Sequence, residues 1–231
     1  MQNATEPTAD PTYYCHERPE MLRFVPGTVQ RVLELGCAEG VFAGAIKKRT
    51  GAEVWGIEFE PDSAKQAGTV LDRVLVGDAD ARIAELPDAY FDLIICNDVL
   101  EHLVNPVFTL RQLRQKMAPE GTVIASIPNI RYVPALSKIV FRRDFPQDDF
   151  GIFDRTHLRF FTRKSMVRLF EAAGFSMRRM KGINPRYGPF GLLLTLLTLG
   201  YFADGFYLQY ACVASPAVRI ASAAAKPAHR R

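Results

Sequence analysis

Cysteine is scarce in this chain of 231 residues: four in all, Cys15, Cys37, Cys96 and Cys212, widely separated and with no CxxC pair. A disulfide framework and a structural zinc site are therefore not expected, and the thiols, lying in or beside apolar runs, read as buried groups of a reducing compartment. Long apolar runs are also missing. The most extended, FGLLLTLLTLGYFA from Phe190 to Ala203, falls short of the ~20 residues that cross a bilayer, so it predicts a buried or an interfacial helix. The polar opening MQNATEPTADPT lacks the basic and apolar regions of an export signal, which predicts a cytoplasmic protein. Charge of one sign is in small excess, +4 overall, too little to argue for nucleic acid. The excess is local: between Arg142 and Arg186 stand eleven Lys/Arg against five Asp/Glu, and the chain ends KPAHRR. That pattern fits a solvated surface or a face meeting an anionic substrate or a membrane.

What is present is an alternation. Short runs rich in Val, Ile and Leu recur at 31–35, 53–58, 73–78, 91–96 and 122–127. They are continuously apolar, as parallel strands covered on both faces are. Helix-forming segments lie between them (40–49, 61–68 and 106–117), the last opened by Asn105-Pro106, a capping side chain followed by a first-turn proline. A further helix is expected after Thr162, stopped by Gly174, and two more strands at 175–183 and 206–215. The fold class is therefore α/β: a doubly wound, Rossmann-like sheet of seven strands, mostly parallel, with a C-terminal antiparallel hairpin. One domain is expected over 13–215, with insertions at about 128–161 and 184–205, between tails at 1–12 and 216–231. Ligands of such sheets bind at the strand C-termini.

The first of those termini reads VLELGCAEG, residues 32–40. It lacks the GxxxxGK[ST] of a phosphate loop, and Ala38 and Val41 stand where a dinucleotide fingerprint needs glycine. The segment instead resembles the ExGxGxG motif of class I S-adenosylmethionine-dependent methyltransferases, with Ala38 in place of the middle glycine. Three further segments resemble that family in order: Glu58 ending the second strand, Gly77-Asp78-Ala79 after the third, and Asn97-Asp98-Val99-Leu100-Glu101-His102-Leu103 after the fourth. The resemblance implies S-adenosylmethionine as cofactor, with S-adenosylhomocysteine as product. It implies contacts from Glu34, Gly36, Cys37, Ala38 and Gly40 in the turn. It also implies Glu58 on the ribose hydroxyls with Phe59 beside it, Asp78 and Ala79 at the adenine, and Asn97 and Asp98 nearby. A carboxylate suits the ribose because it only accepts hydrogen bonds. YYCHERPEML near the start and DRTHLRFFT at 154–162 resemble a bacterial subgroup often encoded with glycan biosynthesis.

Methyl transfer from a sulfonium is an in-line displacement, so the protein mainly aligns the reactants, and no metal is obligatory. A hydroxyl acceptor would benefit from a general base. His157, in the late loop, and His102, one turn beyond Asp98, are the candidates; each has a structural alternative as an anchor for its loop. Tyr14, with Tyr13, offers a lid, Arg18 a partner for an acid, and Arg155 and Arg159 a hold on an acceptor phosphate or carboxylate. The expected activity is methylation of an oxygen or nitrogen of a small molecule, a sugar or glycan intermediate first. A quinone-type O-methyltransferase and a non-catalytic cofactor-binding subunit are the alternatives. Peripheral membrane contact through 190–203 is compatible with each. Nucleic acid is not an expected partner, because the NPPY or DPPY signature is absent.

Overall fold

A computed structural model describes residues 17–186 and 188–217. The expectations for Tyr13, Tyr14, Cys15 and the two tails lie outside the described residues, except at 216 and 217. Seven strands form one sheet: β1 (Arg31–Leu35), β2 (Glu53–Glu58), β3 (Arg73–Val76), β4 (Phe91–Asn97), β5 (Met117–Pro128), β6 (Phe175–Pro185) and β7 (Tyr207–Pro216), in the spatial order β3-β2-β1-β4-β5-β7-β6. β1 to β5 pair in parallel, and β7 runs antiparallel between β5 and β6. The helices are α1 (Pro19–Leu22), α2 (Val41–Thr50), α3 (Pro61–Ala67), α4 (Ala79–Ala84), α5 (Pro106–Lys116), α6 (Val133–Phe141), α7 (Arg163–Ala172) and α8 (Pro189–Leu197).

The continuous apolar runs become strands because both faces of the sheet are covered. Leu33, Leu35, Ile94 and Cys96 enter one core with Ile83, Leu110 and Phe170 from α4, α5 and α7, whereas Val32, Val54, Leu93 and Ile95 enter the other with Phe42 and Ile46 from α2. Each such aliphatic side chain contributes ~1.5 to 3 kcal/mol on burial. The helix boundaries follow local chemistry. Asn105 Oδ1 accepts the Phe108 N–H at 3.1 Å. Thr162 and Ser165 form a reciprocal capping box. Gly174 then takes a left-handed φ of 86°, as a helix stop does.

The segment between β5 and α7, which carries no clear pattern in the sequence, contains α6 and a loop that folds back over the strand C-termini. Leu158 and Arg159 donate their N–H groups to the Glu101 carbonyl at 2.9 and 3.0 Å, and Ile130 donates to the Phe161 carbonyl at 2.9 Å. The inner face of α6, with Tyr132 and Ala135, packs on Ile152 and Phe153 of that loop and on Leu208. The 190–203 expectation resolves toward exposure. Leu192, Leu193, Leu196 and Leu197 of α8 are between 54% and 73% exposed, and no described helix is long and apolar enough to cross a membrane.

Asn129 joins the two insertions. Its side chain is fully buried; Nδ2 donates to the carbonyls of Asp204 and Tyr207 at 2.9 and 3.1 Å, and Oδ1 accepts the Arg131 N–H at 3.1 Å. Replacing it by alanine strands two carbonyls and one N–H, so Asn129→Ala is expected to lose about 3 kcal/mol in urea unfolding. A change under about 1 kcal/mol would show that water replaces these bonds without cost.

Candidate active site at the strand C-termini

A cavity of about 630 Å³ opens where β1, β2 and β4 end. The chain reverses sharply after β1. Gly36 and Cys37 both donate to the Ile57 carbonyl, at 2.8 and 3.1 Å, which pins the turn to β2. Gly36 has a φ of 67°, and a Cβ there would lie 2.5 Å from the Val99 side chain, so the turn and the segment after β4 meet too closely for any other residue. Ala38, with φ 46°, adopts the same left-handed region at a cost of ~1 to 2 kcal/mol. The turn therefore keeps its shape despite the missing glycine. Gly56 of β2 makes room for the buried Cys37 thiol, whose Sγ would lie 2.5 Å from an added Cβ. Burial pushes that thiol's pKa up, which keeps it protonated and unreactive.

Glu58 anchors this corner. Its Oε2 accepts the Ala38 N–H at 2.7 Å and its Oε1 the Glu60 N–H at 2.9 Å. Each oxygen keeps a further lone pair for a ligand. Glu34 lies deeper, almost fully buried, and its Oε2 has no partner among the described residues; neither has the Asn97 side-chain amide on either atom. Burial pushes the Glu34 carboxyl up to about 8, against the pull of Arg18.

At the opposite wall Asp98, with φ 51°, gathers three elements. It accepts from Arg18 at 2.7 Å, from Ser126 of β5 at 2.9 Å and from Gln209 of β7 at 2.7 Å. The Arg18 guanidinium also reaches Ser126 at 3.1 Å. The acid expected for Arg18 is thus Asp98. Gln209 is not legible in the sequence because β7 reaches this edge only through antiparallel pairing with β5; Ser126 is brought beside Asp98 by the parallel pairing of β4 with β5.

Of the cofactor residues expected from the sequence, Glu34, Gly36, Cys37, Ala38, Glu58, Asn97 and Asp98 line the cavity. Gly40 is the left-handed N-cap of α2. Phe59 projects into solvent, 69% exposed. Asp78 caps α4 by accepting the Ala81 N–H at 3.1 Å; Ala79 begins that helix. These last two sit beside Glu58, because Gly77 donates its N–H to the Glu58 carbonyl at 2.8 Å.

His157 lines the cavity and His102 does not, although their rings meet edge to face with centroids 4.7 Å apart. His157 Nδ1 lies 3.0 Å from the Ile152 carbonyl, and its Nε2 is 4.0 Å from the buried carboxylate of Glu101. His102 Nδ1 lies 3.0 Å from Thr156 Oγ1, and burial, then His157, lowers its pKa. Arg155 pairs with Asp149, and Arg159 donates to the Val104 carbonyl at 2.6 Å. Neither arginine lines the cavity; both fasten the loop they belong to.

Residues 9–179 match the family described as a methyltransferase domain. The chain belongs to that family. It is an S-adenosylmethionine-dependent methyltransferase. Among curated relatives it is similar to the ubiquinone biosynthesis O-methyltransferase of Aeromonas salmonicida, 28% identical over 167 residues that cover 69% of this chain and 68% of the relative. Among solved structures it is similar to the S-adenosylmethionine-dependent methyltransferase of Archaeoglobus fulgidus, with TM-score 0.61 and 20% identity, covering 84% of this chain and 90% of that one. The methyltransferase of Mesorhizobium loti gives TM-score 0.59 at 18% identity, covering 86% and 96%.

The cavity fits this cofactor on its own chemistry. The orphaned polar atoms of Glu34 and Asn97 offer acceptors and a donor, the spare lone pairs of Glu58 suit a diol, and Arg18 is the cation at hand for a carboxylate. S-adenosylmethionine carries one more positive charge than S-adenosylhomocysteine. Raising the pH toward 8 ionises Glu34, and the anion favours the cationic sulfur. The affinity ratio of the two, measured by calorimetry, should therefore rise between pH 6.5 and 8.5, by about tenfold for each pKa unit that the sulfonium removes from Glu34. In Glu34→Gln the ratio should be flat; a ratio that still rises in that variant would assign the dependence to another group.

Proposed function

We propose that this methyltransferase acts on an oxygen of a lipophilic, quinone-type phenol. The observation that carries the reading is the apolar surface built by α6 and α8. The inner face of α6 packs on Ile152 and Leu208, and both residues line the cavity. Its outer end exposes Val140 and Phe141 beside the leucines of α8, with Val133, Leu136, Leu194 and Phe202 lining a shallow apolar groove between the two helices. An apolar tail leaving the cavity would find such a surface within one helix width. Arg142 and Arg143 directly follow α6, where they suit peripheral contact with an anionic membrane. Similarity to a ubiquinone biosynthesis O-methyltransferase supports the same acceptor class. A phosphate-bearing glycan carrier would instead call on Arg155 and Arg159, which are occupied outside the cavity.

The chemistry asks little of a base. A phenol ionises near pH 10, far more readily than a sugar hydroxyl, and the sulfonium supplies the leaving group, so alignment carries most of the rate. Of the two histidines His157 lines the cavity, and a proton taken on its Nε2 leaves the Nδ1 contact to the Ile152 carbonyl intact.

The test is a transfer assay with labelled cofactor and three acceptors: a prenylated catechol in anionic vesicles, the same catechol without its tail, and a sugar nucleotide. Transfer to the prenylated catechol at about tenfold or greater kcat/KM over the tailless one is expected. Preference for the sugar nucleotide would overturn the reading. Leu193→Glu with Leu197→Glu should reduce sedimentation with the vesicles while leaving cofactor affinity unchanged.

A further inference from the structure

The buried carboxylate of Glu101 is the least explained group in the structure. It is 1% exposed, and neither of its oxygens has a hydrogen-bond partner among the described residues. A carboxylate so placed is costly unless a cation or donors compensate it. Burial and the neighbouring Asp98 accordingly raise its pKa well above the usual carboxylate range. No hydrogen bond joins Glu101 to His157, because 4.0 Å is too long for one.

The hydrogen bonds of the two histidines beside it orient each ring as in a metal ligand. The Ile152 carbonyl can only accept, so the 3.0 Å contact to His157 Nδ1 places a proton on Nδ1 and leaves Nε2, the atom near Glu101, with its lone pair. His102 is fixed through a relay. Thr156 gives its single hydroxyl proton to Asp154 Oδ1 at 2.6 Å, so toward His102 Nδ1, 3.0 Å away, it can only accept. His102 therefore also carries its proton on Nδ1 and keeps the lone pair on Nε2. Metal-bound imidazoles are held in this way, with the far N–H on a carbonyl or a carboxylate relay. Glu101, His102 and His157 each offer one ligand atom, and the three lie within 4.8 Å of one another.

From this geometry we infer that Glu101, His102 and His157 bind one divalent transition-metal ion, clamping the 152–161 loop to the end of β4. Two imidazoles and one carboxylate suit Zn²⁺, Mn²⁺ or Fe²⁺ better than Mg²⁺ or Ca²⁺, which prefer oxygen. Ligands held ~2.0 to 2.2 Å from a common ion lie ~3 to 3.6 Å apart, so loading requires the three groups to close by about 1 Å. Three protein ligands leave a coordination position open. Because His157 lines the cavity, the ion would place positive charge at its acceptor wall, where an ionised phenol oxygen is favoured over a neutral amine. The inference concerns ion binding and stands apart from the acceptor proposed above, since its test uses no acceptor. The sequence alone hides the site: Glu101 and His102 are neighbours, but His157 lies 55 residues on and follows no zinc-ligand spacing.

The experiment is calorimetric titration of chelator-stripped full-length protein with Zn²⁺, Mn²⁺ and Mg²⁺, with thermal unfolding in parallel. One Zn²⁺ or Mn²⁺ per chain is expected, with a rise in Tm and weaker binding of Mg²⁺. Glu101→Gln and His157→Gln should each weaken that binding more than ~100-fold, and Thr156→Val by ~10- to 100-fold through the relay. A cooperative thermal unfolding transition without added metal reports that each variant is folded, and the two ligand variants back one another should one fail to fold. No stoichiometric binding by the wild-type protein, or equal binding by folded Glu101→Gln or His157→Gln, would overturn the site.

Discussion

Asp98 is the point on which the site depends. Its carboxylate draws a guanidinium from the segment before β1, a hydroxyl from β5 and an amide from β7 to one place. These groups come from parts of the chain as much as 191 residues apart, and none could hold its position by local structure. Asp98 reaches them from a left-handed backbone conformation, a cost for a residue with a side chain. A charge-assisted contact at 2.7 Å with partial burial on both sides offsets that cost. The result is a wall of dipoles and charges facing the Glu34–Glu58 wall across the cavity.

The same edge of the sheet divides the labour. In the proposed site the turn after β1 and the acid ending β2 would be the cofactor end, where close backbone approach and acceptor oxygens matter. The loop over 152–161, with α6 behind it, forms the other end, where Ile152 and Leu208 give an apolar wall and the Glu101 and histidine cluster lies beneath. Apolar packing continues outward from that wall to the exposed leucines of α8. An acceptor with a polar head and an apolar body would find both halves of its chemistry in one path.

Much of this was legible in the sequence. β1, β2 and β4 match their apolar runs nearly to the residue, because burial on both faces writes a continuous apolar run; the edge strand β3 ends two residues short of its run. Thr162, Asn105 and Gly174 marked helix ends through their own side chains or the lack of one. The elements that were not found have a common cause. α4 is six residues long. α6 buries only Val133 and Ala135, and its apolar residues serve both an inner contact and an outer surface, so no 3.6-residue stripe stands out. β5 begins five residues earlier than its apolar run, because Met117 already pairs with Phe91. In the site, Glu58 and Asp98 stood at strand ends and could be read. Gln209 and the importance of Glu101 could not, since both follow from which distant segments the sheet brings together.

The most direct measurement of the central claim is a crystal structure of the protein with S-adenosylhomocysteine. The account predicts the ribose hydroxyls on Glu58, the adenine beside Asp78 and Ala79, and the amino-acid end between Asn97 and Arg18. Density placing the ribose away from Glu58, or the ligand outside the cavity between β1, β2 and β4, would contradict it.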